Sequence, residues 1–432
     1  MRTLILIHDF LPHHAAGSEI YAANLARALV DAGHEVSIFC CEENRALEQH
    51  TLTEREWNGL PIYEAIDNRI YHDLAIHWDD ARMAALLDEV CARVQPELVH
   101  VMGLQSVGGV SALEVVRRHA RCVLMTLHEY WWLCPRHGLM YDLEGRACTR
   151  ATSTDCARCV DVYPIDRERW SDEACDNAHA ELGTRRWFAR ALDGRRAALD
   201  AAVAHVDRFI APSHFLAERY VEHGFPREKL VVADYGFPSV ERPPRALASV
   251  PLHIGYVGTL SDYKGVTTFA RAVAHSGLSR EQLVAPIHGH LDWFPEVAAE
   301  LRALAESCPA LELRGAFPQE QREQVFAELH ALVVPSLWWE NSPLTIHEAF
   351  QRGVPVLASD RGGMAELVGH GGGLLFPPGD HEALAALLLQ LVDDPARLDA
   401  LAASFPEVRP LSADVTLVEA LAEEAGSGGA PR

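Results

Sequence analysis

No apolar run in these 432 residues is long enough to span a bilayer, so no membrane-spanning helix is expected. Positive charge is scarce as well. With 38 Lys and Arg against 61 Asp and Glu, the formal charge of -23 disfavours a nucleic-acid partner and weakens any general attraction to anionic lipid. Asp-x-Asp does not occur. Low-complexity sequence is confined to 425–432, rich in Gly, Ala, Ser and Pro and expected to be disordered. The opening residues 2–10 hold a short apolar run that passes into charge and proline; they read as a first strand and not as a signal peptide. A cytoplasmic globular protein is the expectation. Its 49% hydrophobic and 23% charged residues support large cores, and its length fits two α/β domains of about 200 residues.

What the chain does contain is short apolar strands alternating with amphipathic helices. A strand over 3–7 is followed by a loop, Gly17, and a helix whose Ile20, Ala23, Leu25, Ala28 and Leu29 share one face. Gly33 closes that helix before a strand over 35–40. Gly17 lets backbone amides come close to a phosphate or an acceptor hydroxyl. Strands over 96–101 and 122–128 end in His100 and His128, and a histidine at the carboxyl end of a parallel strand faces the ligand crevice. A hydrogen-bonded core histidine is the favoured reading for His100 and the lesser one for His128. Residues 238–251, with Pro243-Pro244 in their middle, read as a linker, so a second domain begins at Leu252.

The second domain carries the densest signal. A strand over 253–257 leads into the loop Gly258-Thr259-Leu260-Ser261-Asp262-Tyr263-Lys264-Gly265, where Lys264 can neutralise a diphosphate. A strand over 331–335 leads to Glu340-Asn341-Ser342-Pro343-Leu344-Thr345-Ile346-His347-Glu348. Ser342 is a good N-cap and Pro343 suits the first helical position, so a helix is predicted to start there with the amides of Leu344 and Thr345 unpaired and free to hold a diphosphate. Glu348 follows Leu344 by about one turn, roughly 6 Å along the axis, an offset that suits a ribose. Glu340, on the loop before the helix, falls on the other side of the phosphates. Further on, Gly362-Gly363 at a strand-to-helix turn permit close backbone approach to a ligand, and Asp380 caps a helix over 381–392.

The segment from Glu340 to Glu348 resembles the Glu-x7-Glu element of the retaining glycosyltransferases of family 4, and the resemblance extends over nearly the whole chain. It implies the GT-B fold: two Rossmann-like doubly wound α/β domains facing each other across a cleft. By that resemblance, 1–237 is the acceptor domain, with an insertion at about 134–160, and 251–400 the nucleotide-sugar domain. Residues 401–424 would be helical and pack back on the first domain. Glu340 would contact the donor sugar, Glu348 the nucleotide ribose, and His128, in a Thr-x-His-acidic context closed by Glu129, would line the reaction centre. The donor is a nucleotide diphosphate sugar, UDP- or GDP-linked, and the acceptor a hydroxyl of a glycan, a lipid-linked sugar or a small molecule. No protein nucleophile is evident and no cofactor is required for catalysis; front-face transfer is implied, with the leaving phosphate helping to deprotonate the acceptor. The family's loop commonly supplies an arginine where this chain has Thr259, and Arg361 is the candidate substitute; its paired glycines are here Ala16-Gly17, and its asparagine-glycine is Tyr235-Gly236. An epimerase or phosphorylase on the same scaffold, or a non-catalytic sugar-nucleotide-binding subunit, are the alternatives, because fold alone does not fix chemistry.

Four of the ten cysteines, Cys134, Cys148, Cys156 and Cys159, fall in that insertion, which looks like one found in a subset of the family. In a reducing compartment such a set points to a structural zinc site, with plain thiols as the close alternative and a redox pair or iron-sulfur cluster behind them. Cys40, Cys41, Cys91, Cys122, Cys175 and Cys308 read as small apolar residues. The basic aromatic stretch from Arg185 to Arg196 is expected to be a helix that turns Trp187 and Phe188 inward and solvates its arginines. The alternative is a helix lying on the inner face of a membrane.

Overall fold

A computed structural model describes residues 1–68, 74–136, 138–142, 146–149, 152–162, 184–242 and 247–427. Two parallel sheets organise the chain as two Rossmann-like α/β domains. The first sheet comprises β1 (Arg2–Leu6), β2 (Glu35–Glu42), β3 (Leu52–Trp57), β4 (Leu60–Ile66), β5 (Leu98–Val101), β6 (Cys122–Thr126), β7 (Arg208–Ala211) and β8 (Leu230–Val232). Its order is β3-β4-β2-β1-β5-β6-β7-β8, and only the β3–β4 pair is antiparallel. The second comprises β9 (Leu252–Val257), β10 (Leu283–His288), β11 (Leu311–Leu313), β12 (Ala331–Val334), β13 (Val356–Ser359) and β14 (Gly373–Phe376), ordered β11-β10-β9-β12-β13-β14 and parallel throughout.

Central strands such as β6 and β12 are buried along their whole length because helices cover both faces of each sheet, which is why they read as unbroken apolar runs rather than alternating ones. In the first sheet the chain steps from β1 out to β2 and β4, then returns to β5 on the other side; in the second it steps from β9 to β10 and β11, then returns to β12. The loops leaving β1 and β5, and those leaving β9 and β12, therefore flank the two crevices where open α/β sheets take ligands.

Several expectations shift. β6 stops at Thr126, so His128 lies beyond the sheet edge, on the loop. The last helix, Leu411–Ser427, runs through Ala425-Gly426-Ser427, which the composition of the tail had assigned to disorder; Val415, Val418, Leu421 and Ala422 pack on the first sheet, and that tertiary contact carries the helix past its weak formers. Residues 428–432 lie outside the described residues, as do Cys175 and the Pro243-Pro244 centre of the linker. The basic stretch sits on the helix Thr184–Ala202, where the side chains of Arg185, Trp187 and Phe188 also lie outside the described residues. Arg195 is buried, not solvated. It donates to the carbonyls of Trp131 and Trp132 with its guanidinium 4.9 Å from the Trp131 ring, while Arg190 and Arg196 remain exposed. Among the described residues no helix is long and apolar enough to cross a membrane.

Candidate active site

Gly265 sets the geometry of the second-domain crevice. It adopts φ +70°, and a Cβ there would stand 2.0 Å from the Pro335 carbonyl oxygen, so only glycine lets the loop after β9 touch the loop after β12. Lys264 is thereby delivered to Glu340: Nζ donates to Oε1 at 2.7 Å and lies 5.1 Å from the Trp338 ring centroid. Ser336 Oγ donates to the same Oε1 at 2.7 Å, and Glu340 is only 5% exposed. On its other side the Gly363 amide donates to the Glu340 carbonyl at 2.7 Å, and a Cβ on Gly363 would fall 1.6 Å from the Asn341 carbonyl oxygen. Gly362-Gly363 thus make close approach to the backbone of Glu340 and Asn341, a role the sequence reading did not include.

The helix beyond this loop is Leu344–Gln351, one residue shorter at its start than predicted, with Pro343 at the cap position and no side-chain cap. Ser342 does not cap it. Its hydroxyl donates to Asp234 Oδ1 at 2.6 Å and meets His347 Nε2 at 2.8 Å, because a half-buried carboxylate is a stronger partner than a helix amide. Burial pushes the Asp234 carboxyl up, but the hydrogen bonds from His347 and Ser342 together with the charge of His347 hold it below the usual carboxylate range. The amides of Leu344 and Thr345 have no partner among the described residues. Glu348, lower on the helix, is bound by Arg322 NH1 at 2.5 Å; burial pushes its carboxyl up while Arg322 and Arg352 draw it down. A cavity of about 220 Å³ opens beside it, lined by Tyr21, Gly236, Arg322, Leu344 and Glu348 among others. Gly17 lies across from the helix start, its added Cβ 3.4 Å from Leu344 Cδ1.

His128 faces this assembly from the first domain. Its Nδ1 meets the Tyr235 hydroxyl at 2.8 Å and its Nε2 lies 3.3 Å from Met102 Sδ; burial, with His100 and His8 nearby, lowers its pKa to about 3 and keeps the imidazole neutral. Asn341 ties the two halves together, its Nδ2 donating to the His128 carbonyl and reaching the Tyr235 hydroxyl at 3.5 Å. His100 is fully buried on Thr126 Oγ1 at 2.8 Å, a core histidine apart from this network. Burial raises the Glu129 carboxyl to about 7. At the start of the first domain His8 Nε2 sits 3.2 Å from the buried Glu19; burial pulls the His8 pKa down, but the hydrogen bond and charge of Glu19 outweigh it and the net shift is upward.

Thr259 stands half-buried with its carbonyl accepting from the Tyr256 hydroxyl at 2.6 Å, and Gly258 (φ +157°) takes the turn before it. Arg361 is half-buried, donates to the Leu337 carbonyl and lies near Tyr141. Sequence reasoning missed Arg322, Asp234, Asn341 and the pairing of His8 with Glu19. For Glu19 a signal existed, a carboxylate in the first turn of an otherwise apolar helix; for Arg322 there was none.

Residues 16–236, more than half of the chain, match the family described as glycosyl transferase 4-like domain. The chain belongs to this glycosyltransferase family. Residues 251–394 match a second description, glycosyl transferases group 1. This glycosyltransferase is 24% identical over 415 residues, 90% of its length and 84% of the relative's, to D-inositol 3-phosphate glycosyltransferase of Thermobispora bispora. It is 24% identical over 278 residues to O-antigen chain mannosyltransferase B of Escherichia coli, covering 64% of this chain and 69% of that one. A shorter match, 38% over 92 residues, is to amylovoran biosynthesis glycosyltransferase AmsK of Erwinia amylovora, and it spans 20% of this chain and 22% of that protein. Among solved structures, Anabaena HepE in complex with UDP and glucose aligns at TM-score 0.63 and 19% identity over 99% of this chain and 100% of that one. Sucrose-phosphate synthase of Thermosynechococcus elongatus aligns at 0.61 and 18%, over 98% and 97%. The architecture is GT-B.

Proposed function

We propose that this protein is a retaining hexosyltransferase that moves a sugar from a UDP- or GDP-sugar to a hydroxyl of a growing cell-surface polysaccharide or glycoconjugate. The observation that carries this reading is the Lys264–Glu340 pair at the β9/β12 crevice, beside a helix start whose first two amides have no partner among the described residues, and opposite His128. The names of the relatives, which include polysaccharide and O-antigen enzymes, support the acceptor class. In this reading the diphosphate lies on the amides of Leu344 and Thr345, Lys264 offsets the charge that develops on it, and no metal is required. Glu340, already holding two donors, orients sugar hydroxyls and is not a free nucleophile. The bond from C1 to the phosphate oxygen breaks as the acceptor oxygen bonds C1 on the same face, and the acceptor proton passes to the leaving phosphate. Neutral His128 hydrogen-bonds the sugar. The work is done in the cytoplasm, at the inner face of the membrane when the acceptor is lipid-linked.

Calorimetry with free UDP and GDP tests the donor half. Glu348→Ala should cost about 1.5 to 3 kcal/mol of nucleotide affinity, whereas Glu340→Gln should lower turnover and leave that affinity nearly intact. Equal affinity losses in both variants would dissolve the assigned roles. NMR of the first-formed product reports the anomer: an inverted product overturns retention, and donor isomerisation without acceptor identifies an epimerase instead.

A second expectation concerns the loop position without its cation. Thr259→Arg should tighten nucleoside diphosphate binding, since guanidinium pairs with phosphate through two donors, and turnover should stay level or fall if product release limits it. Weaker binding in Thr259→Arg, with no effect of Arg361→Ala, would mean the phosphates lie elsewhere.

A further inference from the structure

We propose that Cys134, Cys148, Cys156 and Cys159 bind one zinc ion as four thiolates, and that this metal holds the insertion in place as a wall of the cleft. All four line a single cavity of about 410 Å³. They reach it from three separate pieces of backbone. Cys134 sits on a tight turn, its amide donating to the Tyr130 carbonyl at 2.8 Å. Cys148 is folded back toward it by the bridge between Tyr141 and Ala147, with its amide on the Met140 carbonyl at 2.8 Å. Cys156 and Cys159 lie one turn apart on the helix Ser153–Val162, and so share a face. Two turns and a helix that bring four cysteines to the wall of one cavity supply the ligand set of a structural zinc site.

Exposure separates three of the four from the rest. Cys40, Cys41, Cys91, Cys122 and Cys308 are buried among apolar side chains, whereas Cys148, Cys156 and Cys159 are only partly buried, on the cavity wall; Cys134 is buried and joins that wall from the edge of the first-domain core. Charge is consistent with thiolates as well. A zinc ion with four thiolates carries a net double negative charge, and Arg136, Arg146, Arg158 and Arg196 line the cavity against only Asp142 and Asp155. No three of the sulfurs lie within 4.8 Å of one another, while tetrahedral zinc at about 2.3 Å from each needs them about 3.8 Å apart, so binding draws the hairpin and helix together. That closure matters beyond the insertion: Tyr141, between two of the ligands, is an electrostatic neighbour of Asp262 on the Lys264 loop and of Arg361.

The test is elemental analysis of the full chain purified without an affinity tag that binds metal or a chelator. About one zinc per chain is expected, and cobalt added to the chelator-stripped protein should give thiolate-to-cobalt charge-transfer absorption. Cys156→Ser with Cys159→Ser should remove the metal and make the insertion sensitive to limited proteolysis, while Cys308→Ser should do neither. Should the double variant fail to fold, the wild-type metal content and the cobalt spectrum still decide. Four freely titrating thiols without metal, iron in place of zinc, or two disulfides in this segment would each overturn the proposal.

Discussion

Lys264→Ala should lower kcat by about 10²- to 10³-fold, the loss typical of deleting one preorganised group that meets developing charge. Lys264 is preorganised in that sense, its ammonium fixed between the Glu340 carboxylate and the Trp338 face on a loop pinned by Gly265. Removing it also leaves Glu340, 5% exposed, with a buried charge and only the Ser336 hydroxyl on its oxygen, so the melting temperature should fall too. The two effects separate in the double variant Lys264→Met with Glu340→Gln. Stability should recover there, because the unpaired charge is gone, while kcat stays low. Rates measured at saturating donor settle the matter: a Lys264→Ala enzyme within about threefold of the wild type would remove this lysine from the reaction.

Gly363→Ala should cost about 100-fold in turnover with the fold intact. The new methyl would sit 1.6 Å from the Asn341 carbonyl oxygen and 3.1 Å from that of Glu340, so the loop must give way. Displacing Glu340 and Asn341 by about an ångström moves the carboxylate on Lys264 and the amide on His128 together, and misplacement on that scale is enough for such a loss. Gly369→Ala, on the same helix with nothing within 4 Å of the added carbon, should be silent. Circular dichroism and kcat on both proteins make the comparison. If the two variants behave alike, the contact at Gly363 does not control the site.

The sheets were legible because burial on both faces writes parallel strands as apolar runs, and β12 (Ala331–Val334) lies where a strand was read over 331–335. The loop sequences around Lys264 and Glu340 were legible by type, though not their pairing across 76 residues. Ser342 shows why the rest was hidden. A serine before proline is a good local cap, but Asp234, 108 residues away in sequence, outcompetes the helix amides, and nothing nearby announces it. Asn341 on the His128 carbonyl and Arg322 on Glu348 are likewise partners set by tertiary packing. Tyr235 read as a small departure; it is the hydrogen-bond partner that orients His128.

The helix Leu411–Ser427 has a consequence for how the chain is made. Val415, Val418, Leu421 and Ala422 complete the core formed by Ile5, Leu25, Leu124 and Ile210, and Asp414 accepts from Tyr21 and the Gly236 amide. Of these two domains, the one made first is therefore sealed by a helix made after the second. Until residues 411–427 have been made, that core presents an open apolar groove, and a fragment ending near residue 237 carries the same groove permanently, with the aggregation that exposed surface invites.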